Sequence, residues 1–338
     1  MKFKKTLIIS FLFFIICILG YSFYFNKSIS YVKNLVSLNT NDNLELELVE
    51  HETNSEKSSF DLSFAVFGDI HNNESNFQDA INDIKNNNIK LDALVLNGDT
   101  VDQGLDSQYE TMNNLLEKNK NNLPKIIIKN IGNHEFYNYD SANKSKDDVN
   151  EKIQKYLNFA QENHVYHDKW INGYHFISLG SEDGNSPTSS STAAYISDEQ
   201  FNWFKEKLAE NYEEGKPIFI FIHQPLILNW GWGDISGTNI SDSISKLLSQ
   251  YPEAIVFNSH THKQLSEECV DTTNNYTVVQ TGAISYTLSI NSDNTISRDF
   301  SYANGLYVTV SGNNVTIYGR DFKNNKWVFS KDLIFKKQ

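Results

Sequence analysis

Five short apolar segments of this chain each end in side chains that can bind a metal ion. The segments read FAVFGD, LDALVLNGD, KIIIKNIGNHE, KPIFIFIHQP and EAIVFNSHTH, and stretches with apolar residues at helical spacing lie between several of them. Consecutive strand patterns follow from Tyr276 to the C-terminus. Strands that alternate with helices and are followed by consecutive strands predict an α/β layered domain with a partly antiparallel sheet.

Helices are predicted where apolar residues recur every three or four positions. The predicted helices cover 73–87, 107–118, 147–162 and 197–211, and the last begins with a capping box from Ser197 to Gln200. Residues 174–180 predict a further strand. In the C-terminal part, strands are predicted within 276–288, 305–322, which contains a Gly-Asn-Asn turn, and 326–335.

The polar residues at the strand ends form one candidate metal site. They are Asp69, His71, Asp99, Asn133, His134, His223, His260 and His262. Each alone has an ordinary alternative: a turn residue, a buried histidine with a hydrogen-bond partner, or a solvent-facing edge residue. Because ligands of open α/β sheets bind beyond the carboxyl ends of the strands, their occurrence in order predicts one shared site.

The ligand types indicate which ions this site suits. Imidazole, carboxylate and amide oxygen favour Mn, Fe, Zn or Ni, and no thiolate is offered. Two such ions lie close together only if an anion offsets their repulsion, and a carboxylate can bridge them. The two histidines of His260-Thr261-His262 lie on one side of an extended chain and can reach two adjacent ions.

The N-terminus predicts a membrane anchor. Residues 6–25 are apolar and uncharged, follow the basic segment MKFKK, and would span roughly 30 Å as a helix. We therefore expect residues 1–25 to form a cytoplasmic Lys-rich end and a signal-anchor helix, with the catalytic domain extracellular. A cleaved signal peptide, giving a secreted protein, is the alternative. Residues 26–59 are polar and predict a linker.

Charge and cysteine content exclude some classes of protein. The net charge of −13 argues against general nucleic-acid coating, since such proteins are basic. Cys17 lies in the apolar N-terminus, which leaves Cys269 as the one thiol of the remaining chain, so this remainder forms no internal disulfide.

The ordered blocks Asp-x-His, Gly-Asp, Gly-Asn-His-Glu, His and His-x-His resemble the calcineurin-like metallophosphoesterases. The resemblance extends from Ser63 to Lys263, and YGRDF near the C-terminus resembles part of that family's second sheet. It implies a four-layer α/β/β/α sandwich of two mixed sheets, with residues 60–338 as one domain. It also implies two divalent metal ions.

The resemblance assigns a role to each position. Asp69, His71 and His262 would bind the first ion, Asn133, His223 and His260 the second, and Asp99 would bridge them. His134 would protonate the leaving alkoxide or hold the phosphate. Asp102 would orient His134 by accepting its other ring proton, although a loop-capping role for Asp102 is equally compatible with the sequence.

Two positions depart from the family pattern. Ser259 stands where glycine usually precedes the paired histidines, so we expect an adjusted turn. Gln103 stands where protein phosphatases have a phosphate-binding arginine, which argues against that branch.

The resemblance implies a hydrolase that activates water to cleave a phosphate monoester or diester. Nucleotides, cyclic nucleotides, lipid head groups and wall-polymer phosphates are all candidate substrates. A surface binding module with a relic metal site is the alternative, and it predicts lost ligands. We expect loops 181–195 and 228–237 to shape the pocket, with Trp230 and Trp232 stacking on substrate or packing beneath the loop.

Overall fold

The computed structural model describes residues 60–226, 240–291, 293 and 295–337. These residues belong to one compact unit, Glu52–Gln338. The predicted anchor helix at 6–25, the linker at 26–59, Trp230 and Trp232 lie outside the described residues. Within the described ranges, no helix is long and apolar enough to cross a membrane.

The first sheet is mixed and contains six strands. Its strands are β1 (Leu62–Phe67), β2 (Ala93–Asn97), β3 (Ile126–Asn130), β12 (Asn304–Ser311), β13 (Asn314–Asp321) and β14 (Lys326–Ile334), in the order β14-β13-β12-β1-β2-β3. Strands β1, β2 and β3 are parallel, whereas β12, β13 and β14 pair antiparallel. The carboxyl ends of β1, β2 and β3 therefore meet at one edge of this sheet.

The second sheet is also mixed and has six strands. They are β4 (His167–Ile171), β5 (Tyr174–Ser178), β6 (Ile218–Phe221), β7 (Ala254–Asn258), β8 (Val270–Asp271) and β9 (Thr277–Gln280), in the order β4-β5-β6-β7-β9-β8. Strands β5, β6, β7 and β9 are parallel. A separate antiparallel ribbon is formed by β10 (Thr287–Ile290) and β11 (Ile296–Asp299).

The two sheets pack face to face on an apolar layer rich in phenylalanine. Phe64 of β1 makes edge-on contacts with Phe176, Phe219, Phe221 and Phe257 of the second sheet, at 4.9–6.3 Å between ring centroids. Alternate side chains of each strand enter this layer because side chains alternate across a strand. Burying one such ring contributes about 2–3 kcal/mol.

Helices cover the outer faces of the sheets. They are α1 (Glu74–Asn86), α2 (Asp106–Lys118), α3 (Lys146–Ala160), α4 (Asp198–Ala209) and α5 (Ser241–Leu248), with short 3₁₀ helices at His134–Phe136 and Glu267–Cys269. Phe204 of α4 and Ile244 of α5 pack with Ile220 and Val256 of the second sheet. Asp83 of α1 binds residues of the first sheet. The predicted layered arrangement with two mixed sheets is confirmed.

One local prediction is confirmed and one is wrong. Strands lie within 276–288 as predicted, namely β9 and the start of β10, and the 281–286 segment between them bonds the loop after β1: Ile284 N donates to the Gly68 carbonyl at 3.1 Å. The predicted capping box at α4 is incomplete. Ser197 Oγ accepts from Gln200 N at 3.2 Å, but the Ser197 N–H donates to Glu182 instead of Gln200.

Candidate metal centre

The candidate ligands come from loops that follow strands of both sheets. Asp69 and His71 follow β1, Asp99 follows β2, and Asn133 and His134 follow β3 in the first sheet; His223 follows β6, and His260 and His262 follow β7 in the second. The structure therefore brings together side chains that are almost 200 positions apart in the sequence. The apolar layer between the sheets fixes the distance between the two sets of loops.

Five of these residues adopt left-handed backbone conformations. Their φ angles lie between 48° and 68° for Asp69, His71, Asp99, His260 and His262. Such conformations cost about 1–2 kcal/mol each for residues with a Cβ, so the surrounding contacts must enforce them. Main-chain hydrogen bonds between loops do so: His71 N donates to the Asp99 carbonyl at 2.9 Å, for example.

The first cluster consists of Asp69, His71 and His262, whose ligand atoms lie within 4.8 Å of one another. His262 Nε2 is 3.3 Å from Asp69 Oδ1 and 3.0 Å from His71 Nε2. His262 Nδ1 donates to the carbonyl of Tyr286 at 2.8 Å, so Nε2 is the unprotonated nitrogen of the neutral ring. Burial lowers the pKa of His262 to about 4, which favours this neutral form.

The second cluster consists of Asp99, His223 and His260 and meets the same distance condition. His223 Nε2 is 3.1 Å from Asp99 Oδ2, while its Nδ1 donates to the Asn97 carbonyl at 2.8 Å. Asn133 donates from Nδ2 to the Tyr137 hydroxyl at 2.8 Å, so its Oδ1 remains available. Burial, and then the nearby charge of His223, lower the pKa of His260 to about 3.

The two carboxylates connect the clusters. Asp69 Oδ1 lies 3.3 Å from His262 Nε2 of the first cluster and 3.8 Å from His223 Nε2 of the second. Asp99 Oδ2 lies 3.1 Å from His223 Nε2 and 3.8 Å from His71 Nε2. The other oxygen of each accepts a main-chain N–H, from His260 and His134 respectively. Each carboxylate is thus held by one oxygen and offers the other to the space between the clusters.

The donor set fits divalent cations. Among the described residues, Asp69 Oδ1, Asn133 Oδ1 and His223 Nε2 are buried and have no hydrogen-bond partner. Such atoms also occur on other buried side chains, but these three belong to predicted ligands, and leaving a buried polar atom without a partner is costly. A cation of each cluster would bond to them, and carboxylate, imidazole and amide donors suit Mn, Fe, Zn or Ni.

Comparisons with known proteins agree with this geometry. The model of the calcineurin-like phosphoesterases matches residues 62–264. The chain belongs to the calcineurin-like phosphoesterase family. Its members use dinuclear divalent metal centres, and this chain is a phosphoesterase.

Solved structures share its fold at low sequence identity. A dimetal phosphatase from Danio rerio is similar, with a TM-score of 0.57, 12% identity and 82% of this chain and 100% of that chain covered. A purple acid phosphatase from yellow lupin (Lupinus luteus) seeds is also similar, with a TM-score of 0.59, 13% identity and 81% of this chain covered. The chain spans about half of that lupin protein, 53%. No curated protein matches the sequence significantly.

His134 of this phosphoesterase lies beside the first cluster. Its ring is 4.3 Å from that of His71, and its Nδ1 donates to the main-chain carbonyl of Asp102 at 2.9 Å. The Asp102 carboxylate is farther away, at 3.5 Å from Nδ1 of both His134 and His71. The orienting hydrogen bond therefore comes from the Asp102 main chain and not, as predicted, from its carboxylate.

Charges around His71 make this part of the site attractive to cations. Burial alone lowers the pKa of His71, but the nearby carboxylates of Asp102, Asp69 and Asp99 outweigh it and raise the pKa to about 10. Burial likewise opposes ionisation of Asp102, yet the adjacent His134 and His71 hold its pKa below the usual range. The raised pKa of His71 indicates that the carboxylates make the potential at this ring negative, whereas the lowered pKa of Asp102 reflects the two adjacent histidines.

Glu135 supports the site, and the sequence analysis gave it no role. Its buried carboxylate accepts main-chain N–H groups of Asp99 at 3.1 Å, Thr100 at 2.9 Å and Gly132 at 2.7 Å. Burial, and then the charge of Asp99, raise its pKa to about 7. It joins the loops after β2 and β3. Its position in Gly-Asn-His-Glu was the one available signal.

Two tyrosines near the ligands were also missed. The Tyr137 hydroxyl accepts from Asn133 and donates to the carbonyl of Ser191 at 2.6 Å, so it links the 181–195 loop to the second cluster. The ring of Tyr286 stacks on that of His262 at 4.3 Å and 21°. Neither tyrosine lies in a strand-end motif, so no pattern pointed to them.

The two departures from the family pattern are accommodated locally. Ser259 is buried and does not adopt a left-handed conformation, and its Oγ lies 2.6 Å from Thr281 Oγ1 and accepts from Asn97 at 3.1 Å. Gly68 faces it, because a Cβ at position 68 would lie 2.2 Å from Ser259 Oγ. Gln103 Oε1 accepts from Tyr139 N at 2.8 Å.

Proposed function

We propose that this phosphoesterase uses two divalent metal ions to hydrolyse a phosphate monoester or diester. The observation that supports this most directly is the position of Asp69 Oδ1 and Asp99 Oδ2 between the two histidine clusters. Carboxylate oxygens placed in this way offset the repulsion between cations 3.5–4 Å apart.

In this proposal Asp69, His71 and His262 hold the first ion, and Asn133, His223 and His260 hold the second, with Asp99 between them. When bound, such a pair activates water near neutral pH and neutralises charge on the phosphate oxygens. His134 Nδ1 donates to the Asp102 carbonyl, so Nε2 faces away from that bond. In its imidazolium form, His134 can transfer the Nε2 proton to the leaving oxygen or donate it in a hydrogen bond to the phosphate.

The alternative of a binding module with a relic site predicts that ligands have been lost. Every position expected to bind metal carries a competent side chain, and these side chains converge with unpartnered donor atoms. This favours an active enzyme.

We further propose that residues 6–25 anchor the protein in the cell membrane with the catalytic domain outside. The support is the uncharged apolar segment preceded by lysines. Substrates would then be phosphorylated small molecules, nucleotides, lipids or wall polymers reached from that side. Protease treatment of intact cells should degrade the domain, and its protection there would contradict the orientation.

The activity is tested with the full chain, purified and reconstituted separately with Mn, Fe, Zn and Ni. Hydrolysis of p-nitrophenyl phosphate and of bis-p-nitrophenyl phosphate distinguishes monoesterase from diesterase activity. Asp99→Ala should lower kcat by a factor of at least about 100 and reduce the metal content, whereas His134→Ala should lower kcat and retain both ions. Undiminished turnover by Asp99→Ala would overturn the assignment.

A further inference from the structure

A single exposed arginine lies next to the candidate metal centre. The chain has only two arginines, Arg298 and Arg320. Arg320 is fully buried and pairs with Asp83. Arg298 is exposed on β11 and makes no ion pair or side-chain hydrogen bond within the part of the chain that the structure describes. All of its guanidinium N–H groups are therefore available to a ligand.

Tyr286 connects this arginine to the first metal cluster. The guanidinium carbon of Arg298 lies 4.6 Å from the centroid of the Tyr286 ring, in cation–π geometry. The same ring stacks on His262, and the Tyr286 carbonyl accepts the His262 Nδ1 proton. Arg298 is thus separated from a predicted metal ligand by one aromatic ring.

The ribbon that carries Arg298 is fixed to the site. Leu288 pairs with Arg298 across the ribbon, and Leu288 N donates to the His262 carbonyl at 2.8 Å. Phe300, which follows β11, is exposed and contacts Tyr286 at 5.6 Å between ring centroids. The position of Arg298 therefore follows from the ribbon and its bond to the metal-site loop, in addition to the ring contact.

The lysines at this edge differ from Arg298 in having polar partners: Lys263, whose main chain bridges to Leu288, lies 3.9 Å from Glu268, and Lys323 donates to the Phe300 carbonyl at 2.7 Å. Among the described residues, Asp69, Asp99 and Asp102 form ion pairs only with histidines. The chain is also strongly acidic overall, so it repels anions except where a cation is placed for them. An unpaired arginine beside the site matches a carboxylate or phosphate that lies beyond the reacting phosphate.

We propose that Arg298 binds a second anionic group, a carboxylate or phosphate, on the leaving group of the substrate. The proposal rests on the proposed phosphoesterase function, since it names the class of ester that this site prefers. Arg298 is a specificity residue in this account and does not touch the reacting phosphate. It should therefore affect KM and leave kcat nearly unchanged.

The first test measures binding and needs no turnover. The full chain loaded with Mn²⁺ is titrated calorimetrically with hexylphosphonate, 6-phosphonohexanoate and 1,6-hexanebisphosphonate, which separate a carboxylate from a phosphate as the second anion. We expect wild type to bind 6-phosphonohexanoate, 1,6-hexanebisphosphonate or both more tightly than hexylphosphonate, which lacks the second anionic group. Arg298→Gln should weaken that binding about tenfold and leave hexylphosphonate within twofold, and Arg298→Lys should recover part of the loss.

Lys118→Gln is the matched control. Lys118 is exposed at the last turn of α2, and its replacement by glutamine also removes one positive charge. It should leave all three affinities unchanged. The proposal is overturned if Arg298→Gln weakens all three ligands equally, which would indicate a structural role on Tyr286. It is also overturned if wild type shows no preference for ligands with a second anionic group, or if Arg298→Gln keeps that preference.

The second test compares hydrolysis of hexyl phosphate and 6-phosphooxyhexanoate. A rise in KM for the second ester alone in Arg298→Gln supports the proposal, and an equal change for both esters contradicts it. If the binding preference depends on Arg298 but metal-loaded wild type hydrolyses neither ester nor p-nitrophenyl phosphate, the phosphoesterase function fails while the anion site stands.

Discussion

At the scale of single residues, Tyr137 controls which atom Asn133 presents. Asn133 Nδ2 donates to the Tyr137 hydroxyl, so the amide oxygen faces the second cluster. Tyr137→Phe removes that acceptor and keeps the ring beside His134, so we expect affinity for the second ion to fall about tenfold and the first ion to be retained. Calorimetric titration of the metal-free protein with Mn²⁺ measures both affinities.

The matched control is Tyr195→Phe, which removes a hydroxyl from the 181–195 loop itself. It should bind both ions as wild type does. Equal metal affinities in Tyr137→Phe and Tyr195→Phe would show that the Asn133 amide needs no external support.

Also at the residue scale, Glu135 should be essential for stability. Its carboxylate accepts three main-chain N–H groups, and the amide of Glu135→Gln would point an N–H₂ group at one of these donors. We expect the free energy of unfolding to fall by about 2–3 kcal/mol. Urea denaturation measures it. Glu117→Gln, at an exposed residue of α2, should change it by less than about 0.5 kcal/mol, and a similar effect of both variants would contradict the assigned role.

At the scale of strands and helices, the sequence predicted the elements with strong apolar patterns. Buried strands such as β6 and β7 are continuous apolar runs, and the four predicted helices have at least twelve residues with regular apolar spacing. The missed elements are short or polar: β4 (HDKWI) and β11 (ISRD) carry mostly polar residues, β8 has two residues, and α5 has Ile244, Leu247 and Leu248 at helical spacing but only eight residues. Their pairing depends on tertiary contacts that local periodicity does not encode.

The candidate ligands could be predicted from the sequence, but the residues that position them could not. Ligand types recur at strand ends, whereas Glu135, Tyr137 and Tyr286 act through hydrogen bonds and stacking that only the folded loops create. The left-handed conformations at Asp69 and His262 were likewise not predictable, because neither is a glycine and the strain is enforced by bonds between distant loops.

The close approach of the loops after β1 and β7 depends on glycine at position 68. A Cβ at Gly68 would lie 2.2 Å from Ser259 Oγ and 2.7 Å from Ser259 Cβ. Gly68→Ala should therefore push the two loops apart, lower the free energy of unfolding by about 1–3 kcal/mol and weaken binding of the first ion. Urea denaturation and metal titration measure these effects.

The double variant Gly68→Ala with Ser259→Gly removes both opposing atoms. We expect it to recover most of the metal affinity lost in Gly68→Ala, with Ser259→Gly alone as the fourth corner of the cycle. Strictly additive effects would show that the two residues do not compete for this space.

A pH-dependent prediction concerns the contact between β3 and α3. Lys129 donates to the Phe159 carbonyl at 2.6 Å and lies over the Phe159 ring, and burial lowers its pKa from 10.5 to about 8. Between pH 8 and 10.5 the unfolded chain therefore binds more protons than the folded protein, so this group makes stability rise with pH. Relative to that of Lys129→Met, the free energy of unfolding of wild type should rise by about 2 kcal/mol between pH 8 and 10.5. Denaturation of both proteins at each pH measures it. A difference between wild type and Lys129→Met that stays constant over that pH range would contradict the assigned role of burial.

At the scale of the whole molecule, the candidate metal centre draws its residues from both sheets. The candidate ligands that follow strands of the first sheet are Asp69, His71, Asp99 and Asn133, and those of the second are His223, His260 and His262. Ions bound there would add bonds between two layers that are otherwise held by the apolar contacts around Phe64. Because the unfolded chain does not assemble these ligands, metal binding should stabilise the folded state by mass action.

Removal of metal should therefore lower the thermal stability of the full chain. At a free Mn²⁺ concentration 100 times the Kd, the expected gain is about 2.7 kcal/mol per site, and the unfolding temperature should rise with each further increase in concentration. Scanning calorimetry of chelator-treated protein over a series of Mn²⁺ concentrations measures this.

Asp99→Asn should weaken the dependence of the unfolding temperature on Mn²⁺, since it removes the charge shared by both clusters. A dependence equal to that of wild type would mean that the stabilising ions bind elsewhere. Since both sheets contribute ligands, their unfolding should shift together with metal; a shift confined to one sheet, followed by hydrogen exchange, would contradict a centre that joins them.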